Sequence, residues 1–201
     1  MTGEAPDAVG RFVFYAVMVC WCLFAVTFIA RRRSARRLET RRDWTGMLGF
    51  LIQSVGYFVI WLRPLQRTRF SPLLPMSNAA ELALATLTLA IAVFSVWLVN
   101  AAVRALGAQW AVAARLVEGH NLIVNGPYRW VRNPIYAGMF GMMLATGLAV
   151  TQWPALLVAT VIFLMGTYLR VRTEERLLRG QFGSEFDDYT RRVPAVIPGV
   201  W

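Results

Sequence analysis

The chain has 201 residues, of which 57% are hydrophobic and only 16% are charged, and its mean hydropathy is +0.49. An apolar content this high excludes an ordinary soluble domain and predicts an integral membrane protein. The formal net charge is +10, and arginine supplies every residue of the Lys+Arg count. Because these arginines cluster at the ends of apolar runs, they indicate membrane topology, and we expect no nucleic-acid partner.

Five apolar runs follow one another along the chain, at residues 12–30, 45–62, 79–103, 135–152 and 155–169. A helix crosses the hydrocarbon core of a bilayer with roughly 20 apolar residues. The pattern therefore predicts an all-α integral membrane fold with about five transmembrane helices. Only Trp153 and Pro154 separate the last two runs, so the fourth and fifth helices are expected to form a tight antiparallel hairpin.

The arginines also predict the orientation of the helices. The first run ends in RRRSARR, which is typical of a retained anchor, and the segments after the first, third and fifth runs are richer in arginine than the segment after the second. Five spans with the N-terminus outside place all the richer segments in the cytoplasm. The exclusive use of arginine suggests a GC-rich bacterial genome, so we expect a bacterial inner-membrane protein with a cytoplasmic active site.

The two cysteines, Cys20 and Cys22, lie within the first apolar run. Two residues apart on a helix they point in different directions, so neither a disulfide nor a metal pair is expected. We predict no metal site and interpret both cysteines as packing residues.

The fifth helix is expected to continue past the membrane. Residues 155–179 lack proline, and as a helix they would extend about 37 Å against a hydrocarbon core of about 30 Å. The helix should end near Gly180 and Gly183. Because helices four and five form a hairpin, the loop before helix four and the C-terminal helix and tail lie on one side. Together they are expected to form a cytoplasmic cofactor pocket.

The loop before helix four carries side chains suited to binding a ligand. It contains His120, the only histidine, and Pro134 suits the first turn of a helix whose N–H groups attract anions. The same stretch offers rings for stacking and cations for a carboxylate, at Tyr128, Trp130, Tyr136, Arg129 and Arg132. An alternative interpretation is that these residues only form the aromatic and basic belt at a membrane surface.

A second polar cluster lies on the extension of the fifth helix, at Arg170, Arg172, Glu174, Glu175, Arg176 and Arg179. Arg170 and Glu174 are four residues apart, as are Glu175 and Arg179, so ion pairs along the helix would explain the cluster structurally. Adjacent acids flanked by arginines beside a membrane also fit a ligand site lined by both signs of charge.

Taken in order, the two clusters form a series of short motifs. The first reads His120, Leu122-Ile123, Gly126-Pro127-Tyr128 and Arg132-Asn133-Pro134-Ile135-Tyr136. The second reads Arg172-Thr173-Glu174-Glu175, then FGSEFDDY at 182–189 and Arg192-Val193-Pro194. These motifs resemble the isoprenylcysteine carboxyl methyltransferase and phospholipid methyltransferase superfamily of integral membrane enzymes. The resemblance covers about residues 118–201, and the first hundred residues match only as generic spans.

The resemblance implies a single domain over residues 1–201, with three N-terminal spans in 1–103 and the cofactor-binding and catalytic part in 118–201. It implies methyl transfer from S-adenosylmethionine, with S-adenosylhomocysteine as the product, to a lipid or lipophilic small-molecule acceptor that enters from the membrane. A sulfonium methyl group is already activated, so the protein mainly has to align donor and acceptor.

The resemblance also implies which residues act. Cofactor contacts are expected from His120, Leu122, Ile123, Gly126, Tyr128, Arg132, Asn133, Pro134, Tyr136, Glu174 and Glu175. Glu174 or Glu175 would bind the cofactor's ammonium group or ribose hydroxyls, and Arg132 its carboxylate. Catalytic roles are expected for Arg170, Arg172 and Glu175. Either arginine would orient a carboxylate acceptor, whereas Glu175 would take the proton from an amine acceptor.

One position departs from the family pattern, because Asn133 stands where an Arg-His-Pro motif has histidine. Asparagine donates and accepts hydrogen bonds but does not titrate near neutrality. We therefore expect Asn133 to position the cofactor and not to relay protons.

Two alternatives stay open at this point. Membrane sterol and steroid reductases, which use NADPH, share an Arg-His-Pro-x-Tyr segment and a tail similar to VPAVIPGVW at 193–201, although the Glu174-Glu175 pair favours a methyltransferase. A non-enzymatic helix bundle that binds lipid fits the spans but gives neither polar cluster a role. The sequence leaves open whether the acceptor is a carboxylate, an amine or a thiol, and it leaves the oligomeric state open.

Overall fold

The computed structural model describes residues 8–31, 44–67, 70, 77–107 and 122–197. Over these ranges the chain is almost entirely helical, and its only extended pairing is an isolated bridge between Gln66 and Thr151. The helices are α1 Ala8–Arg31, α2 Trp44–Trp61, α3 Asn78–Leu106, α4 Pro134–Val150, α5 Trp153–Phe182 and α6 Ser184–Arg192. Short 3-10 turns lie at Arg63–Leu65 and Gly126–Arg129.

The described helices confirm an all-α integral membrane protein. Four of them, α1, α2, α3 and α5, are long and apolar enough to cross a membrane. The remaining predicted span is present as α4, which has 17 residues and falls just short of that length. Pro134 occupies its first turn, as expected from the proline ring geometry.

The bundle consists of two packed groups that meet at α4. Helix α3 packs against α4 and α1, whereas α5 packs most extensively against α2. Trp21 of α1 ties the groups together, since its indole Nε1 donates to Thr146 Oγ1 of α4 at 3.0 Å and its ring lies 5.5 Å from that of Tyr57 on α2. The predicted α4–α5 hairpin is present, with only Thr151 and Gln152 between the helices, but α2 is the main partner of α5.

Glycines allow the close approach of α2 and α5. A Cβ atom added at Gly166 would lie 2.6 Å from the carbonyl oxygen of Gly49 and 2.7 Å from the backbone nitrogen of Gln53. One at Gly56 would lie 3.0 Å from the carbonyl oxygen of Ala159. Small residues that let backbones approach are the usual means of packing helices in a bilayer, where apolar burial between helices drives association only weakly.

The segment after α2 is bonded to the α4–α5 turn. The backbone N–H of Arg67 donates to the Val150 carbonyl at 2.9 Å, and its guanidinium donates to the carbonyl of Leu148. The Gln152 N–H donates to the Leu65 carbonyl at 2.9 Å. Arg67 thus caps the C-terminus of α4, where a cation also meets the negative end of the helix dipole. Arg67 belongs to the segment between α2 and α3, which was expected outside the membrane. This arginine therefore stabilises the fold.

The fifth helix is longer than a bilayer crossing requires. Its 30 residues correspond to about 45 Å, against a hydrocarbon core of about 30 Å. It ends at Gly183, which has a φ of 54°, a conformation that glycine adopts without a steric cost. This confirms the predicted end of the helix and leads directly into α6, which turns back toward the loop before α4.

We predict that Gly166→Ala destabilises the protein, because the new methyl group would collide with the backbone of α2. The expected loss is about 1–3 kcal/mol, as for other overpacked sites. Gly180→Ala in the same helix is the matched control, because a Cβ atom there would have no heavy atom within 4 Å. Thermal unfolding in detergent should show a lower midpoint for Gly166→Ala alone. Equal midpoints for the two variants would contradict this account of the interface.

Candidate functional site

The C-terminal tail is bonded to the start of α4. The backbone N–H of Arg132 donates to the Pro194 carbonyl at 2.8 Å, and that of Asn133 donates to the Ala195 carbonyl at 2.9 Å. The side-chain Nδ2 of Asn133 donates to the same Ala195 oxygen at 3.1 Å. We expected the start of helix four to offer unpaired N–H groups to an anion. Tail carbonyls thus accept from the two N–H groups directly before the helix, and the expectation for the N–H groups of the helix's own first turn stays a prediction.

Arg132 joins the loop, α5 and the tail through its guanidinium. Its Nε and Nη2 both lie 2.8 Å from Oε1 of Glu175, and the two side chains are only 13% and 18% exposed. Its Nη1 donates to the Thr190 carbonyl at 3.1 Å and to the Val193 carbonyl. Hydrogen bonds between charged groups in a shielded site are among the strongest in proteins. The two polar segments are therefore neighbours, as the hairpin predicts.

Aromatic side chains of α6 complete the contact between tail and loop. Tyr189 is buried and its hydroxyl donates to the Tyr128 carbonyl at 2.5 Å. Phe186, Tyr189 and Val193 pack together, with Leu122 and Leu178 against them. The amphipathic helix α6 thus covers the loop with its apolar face and keeps its charged face outward.

Both buried tyrosines keep their protons at neutral pH. Burial, reinforced by the negative charge of Glu174, raises the pKa of Tyr128. Burial also raises the pKa of Tyr189, against the opposing effect of the nearby Arg132. Both phenols therefore stay protonated, and that of Tyr189 acts as a hydrogen-bond donor to the Tyr128 carbonyl.

A cavity of about 70 Å³ lies between these elements. Six predicted cofactor residues line it, namely Leu122, Ile123, Tyr128, Arg132, Asn133 and Glu175. Ligand pockets usually enclose about 300–1,000 Å³, so the cavity that the described residues form is smaller than a site for a whole cofactor. The predicted cofactor residue His120 lies in the connection 108–121, outside the described residues.

Four further residues line the cavity and were not predicted to do so: Leu106, Leu178, Phe186 and Tyr189. Leu178 lies three residues after Glu175, so helical spacing places both on one face, which is a usable signal. Phe186 and Tyr189 belong to the FGSEFDDY motif, and the three-residue spacing between these two aromatic residues is typical of one face of an amphipathic helix. Leu106 ends α3, and no local pattern connects it with the loop.

The second predicted cluster lies on another face of α5. The hydroxyl of Tyr136 donates to Oε1 of Glu174, and Arg170 Nη2 lies 3.8 Å from the same oxygen. The Arg170 guanidinium also lies 5.0 Å from the centre of the Tyr136 ring. This confirms the predicted Arg170–Glu174 ion pair and brings α4 into it. Pro134 is buried in the first turn of α4, and Gly126 is exposed with a φ of 58°.

Three side chains predicted near ligands point elsewhere. Arg172 is exposed, with its guanidinium 5.1 Å from the centre of the Tyr168 ring. Two residues after Arg170 on a helix, it faces away from the cluster. Arg129 lies 4.9 Å from the Trp130 ring, and Trp130 is 47% exposed and 6.2 Å from Trp97. For Arg129 and Trp130 the interfacial-belt interpretation therefore fits.

Glu175 and Arg179, whose spacing allowed an ion pair along the helix, each pair with another residue. Glu175 pairs with Arg132, and Arg179 binds Asp187 at 2.7 Å. The reason is the reversal of the chain at Gly183, which brings Asp187 of α6 beside Arg179. That pair is about half exposed and therefore contributes little to stability.

The proteins to which the chain is similar include two whose names indicate different functions. Protein-S-isoprenylcysteine O-methyltransferase of Schizosaccharomyces pombe is 31% identical over 87 residues, which are 43% of this chain and 37% of that protein. The nickel-cobalt-cadmium resistance protein NccN of Alcaligenes xylosoxydans xylosoxydans is 28% identical over 110 residues, or 53% of this chain and 50% of that protein. The chain thus spans half or less of the length of these relatives.

The fold resembles that of a solved membrane enzyme. The structure of the eukaryotic intramembrane Ras methyltransferase ICMT, isoprenylcysteine carboxyl methyltransferase, superimposes with a TM-score of 0.65, 19% sequence identity and coverage of 96% of this chain and 69% of that one. The sequence model of the phospholipid methyltransferase family matches residues 83–185. Because this match takes in just over half of the chain and contains the Arg132–Glu175 pair, the protein belongs to the phospholipid methyltransferase family, within the superfamily that includes the isoprenylcysteine carboxyl methyltransferases.

Proposed function

We propose that the protein is a membrane enzyme that transfers a methyl group from S-adenosylmethionine to a lipophilic acceptor. The observation that carries the proposal is the Arg132–Glu175 pair, which joins the two motif segments around a lined cavity. Membership of the phospholipid methyltransferase family and the ICMT-like fold support it. The activity would reside in a single domain over residues 1–201, with 118–201 as its cofactor-binding and catalytic part.

The residues around the cavity fit the chemical groups of this cofactor. Leucine, isoleucine and aromatic side chains provide apolar walls for a flat base. Both contacts from Arg132 fall on Oε1 of Glu175, which leaves Oε2 as an acceptor for a ribose hydroxyl or an ammonium group. When bound, S-adenosylmethionine supplies a methyl group already activated by its sulfonium charge, so the protein's own residues need mainly to bind and align.

Arg132 acts in this proposal chiefly as a positioning residue. The sequence suggested that it binds the cofactor's carboxylate, but its guanidinium nitrogens already contact Glu175 and two tail carbonyls. To bind a carboxylate it would have to exchange one of these contacts. Its proposed task is to hold Glu175 and the tail in place around the cofactor.

Asn133 contributes to the same arrangement. Its side chain and its backbone N–H both donate to the Ala195 carbonyl, and it lines the cavity. These contacts support the positioning role and do not require a proton relay. Of the three catalytic candidates, Glu175 lies beside the cavity and Arg170 on the neighbouring face of α5, whereas Arg172 is exposed.

The acceptor is proposed to reach Arg170 from the membrane. Arg170 is held at the α2–α5 interface beside Phe50, whose ring is 48% exposed. A carboxylate acceptor would pair with this guanidinium, whereas an amine acceptor would have to give up a proton, for which Glu175 is the proposed base. The proposed location is a bacterial inner membrane, with the N-terminus outside and the site in the cytoplasm.

We predict saturable binding of S-adenosylhomocysteine to the detergent-purified protein, and no binding of NADPH, in separate calorimetric titrations. The cavity offers a carboxylate but no second basic cluster on its described walls for a ribose phosphate. The variant Arg191→Gln, which removes an exposed pair with Asp188, should bind like the wild type. Binding of NADPH alone would support the reductase alternative, and binding of neither ligand would support the lipid-binding bundle.

We predict that Asn133→His keeps or raises methyl transfer, because an imidazole N–H can also donate to the Ala195 carbonyl. Asn133→Leu, which removes the donor at similar size, should weaken S-adenosylhomocysteine binding several-fold, in line with about 0.5–1.5 kcal/mol for one hydrogen bond. Calorimetry and transfer of a labelled methyl group measure the two effects. A large loss in Asn133→His would show that the site requires the asparagine geometry itself.

A further inference from the structure

Gln53 lies on α2 with only 1% of its surface exposed, inside a helix that is otherwise almost wholly apolar. It precedes the segment that matches the family, residues 83–185. A buried amide in such a helix costs free energy unless its donor and acceptor groups are both satisfied. A polar side chain within a membrane helix is therefore expected to have a hydrogen-bonding partner and a functional role.

The contacts of Gln53 determine the orientation of its amide. Its Nε2 donates to Thr167 Oγ1 at 2.8 Å, and the Thr167 hydroxyl donates to the Phe163 carbonyl at 2.9 Å. Because the hydroxyl proton is used on Phe163, Thr167 can only accept from the amide nitrogen. The amide oxygen must then face the other way, where it accepts from Arg170 Nη1 at 3.4 Å.

Glycines on α2 and α5 allow Gln53 and Arg170 to approach each other. A Cβ atom at Gly49, one helical turn before Gln53, would lie 2.6 Å from Cγ of Arg170. A Cβ atom at Gly166, one turn before Arg170, would lie 2.8 Å from Cγ of Gln53. Each side chain thus occupies the space that a glycine on the other helix leaves open.

Arg170 is contacted on several sides by described residues. The rings of Phe50 and Tyr136 lie 5.7 Å and 5.0 Å from its guanidinium carbon, and its side chain is 11% exposed. Glu174, at 3.8 Å, also accepts from the hydroxyl of Tyr136. A neutral amide such as that of Gln53 directs the guanidinium without adding a second carboxylate beside Glu174.

We propose that Gln53 is a positioning residue that fixes the direction of the Arg170 guanidinium toward the anionic head of the acceptor. This inference rests on the proposed function, in which Arg170 orients the acceptor. It extends the site to α2, so that the N-terminal half of the chain takes part in acceptor binding while the cofactor is bound at the loop, α5 and the tail.

The test compares Gln53→Leu and Gln53→Glu with Ser54→Ala, whose hydroxyl is exposed and bonds only to the carbonyl of Phe50 in its own helix. Transfer of a labelled methyl group to N-acetyl-S-farnesylcysteine, a lipophilic carboxylate, gives the acceptor KM, and calorimetry gives the dissociation constant of S-adenosylhomocysteine. Both Gln53 variants should raise the acceptor KM about tenfold, as expected for a lost hydrogen bond to a charged group. Cofactor binding should stay within about twofold, the range of a surface substitution.

The Gln53→Glu variant separates positioning from packing, because it keeps the side-chain shape but places a carboxylate against Arg170 that competes with the acceptor. An unchanged acceptor KM, or a parallel fall in cofactor affinity in Gln53→Leu, overturns the inference and leaves the proposed function standing. A wild-type protein that binds no S-adenosylhomocysteine overturns both.

If the wild type binds S-adenosylhomocysteine but does not methylate this probe, a double-mutant cycle decides. Gln53→Leu and Arg170→Gln are combined, and the unfolding midpoints in detergent are compared with those of the single variants. If the fall in midpoint of the double variant equals the sum of the two single falls, the inference is overturned. A fall smaller than that sum supports the contact by which Gln53 holds Arg170.

Discussion

The Arg132 guanidinium is the point on which the candidate site depends. It contacts a carboxylate on α5 and two backbone carbonyls at and beyond α6, from a position directly before α4. All three partners lie far from Arg132 along the chain, since Glu175 is 43 residues away and Thr190 and Val193 are 58 and 61 residues away. Removing one partner of a shielded charge pair leaves the other charge uncompensated, which is costly. We therefore expect the cavity to depend on this contact.

The length of α5 explains why two different functional faces arise from one helix. Adjacent residues on a helix point about 100° apart, so Glu175 faces the cavity and the tail while Glu174 faces Tyr136 and Arg170. The first face suits a polar cofactor, and the second lies against the membrane helices α2 and α4. A donor and an acceptor bound on these faces would meet at the same turn of α5. Under the proposed function, such an arrangement would let a lipophilic acceptor stay in the bilayer while the cofactor is bound outside it.

The sequence predicted well those features that depend on local pattern. Apolar runs located the five apolar helices α1 to α5, the short Trp153-Pro154 connection located the hairpin, and Gly183 located the end of α5. The motif from Leu122 to Asn133 supplied most of the polar lining of the cavity. In each case the physical signal lies within a few residues of the element it determines.

Features that depend on distant partners were not predictable in the same way. Helical spacing favoured Glu175 with Arg179, but the chain reversal at Gly183 gave each a different partner. Gln53 was visible only as a polar residue in an apolar run, because its partners Thr167 and Arg170 come from a helix more than a hundred residues later. Arg67 counted as a charge in a connecting segment, whereas its contacts cap α4. None of these pairings has a periodicity that a single sequence shows.

The most direct test of the central claim is a double-mutant cycle of Arg132→Gln and Glu175→Gln, with the dissociation constant of S-adenosylhomocysteine as the measured quantity. Glu185→Gln, at an exposed position on α6, serves as the matched control. The account predicts that each single variant weakens binding by about tenfold or more and that the double variant is no weaker than the poorer single one, a coupling of roughly 1–3 kcal/mol. Losses that multiply in the double variant would contradict it, since they would show that Arg132 and Glu175 act independently.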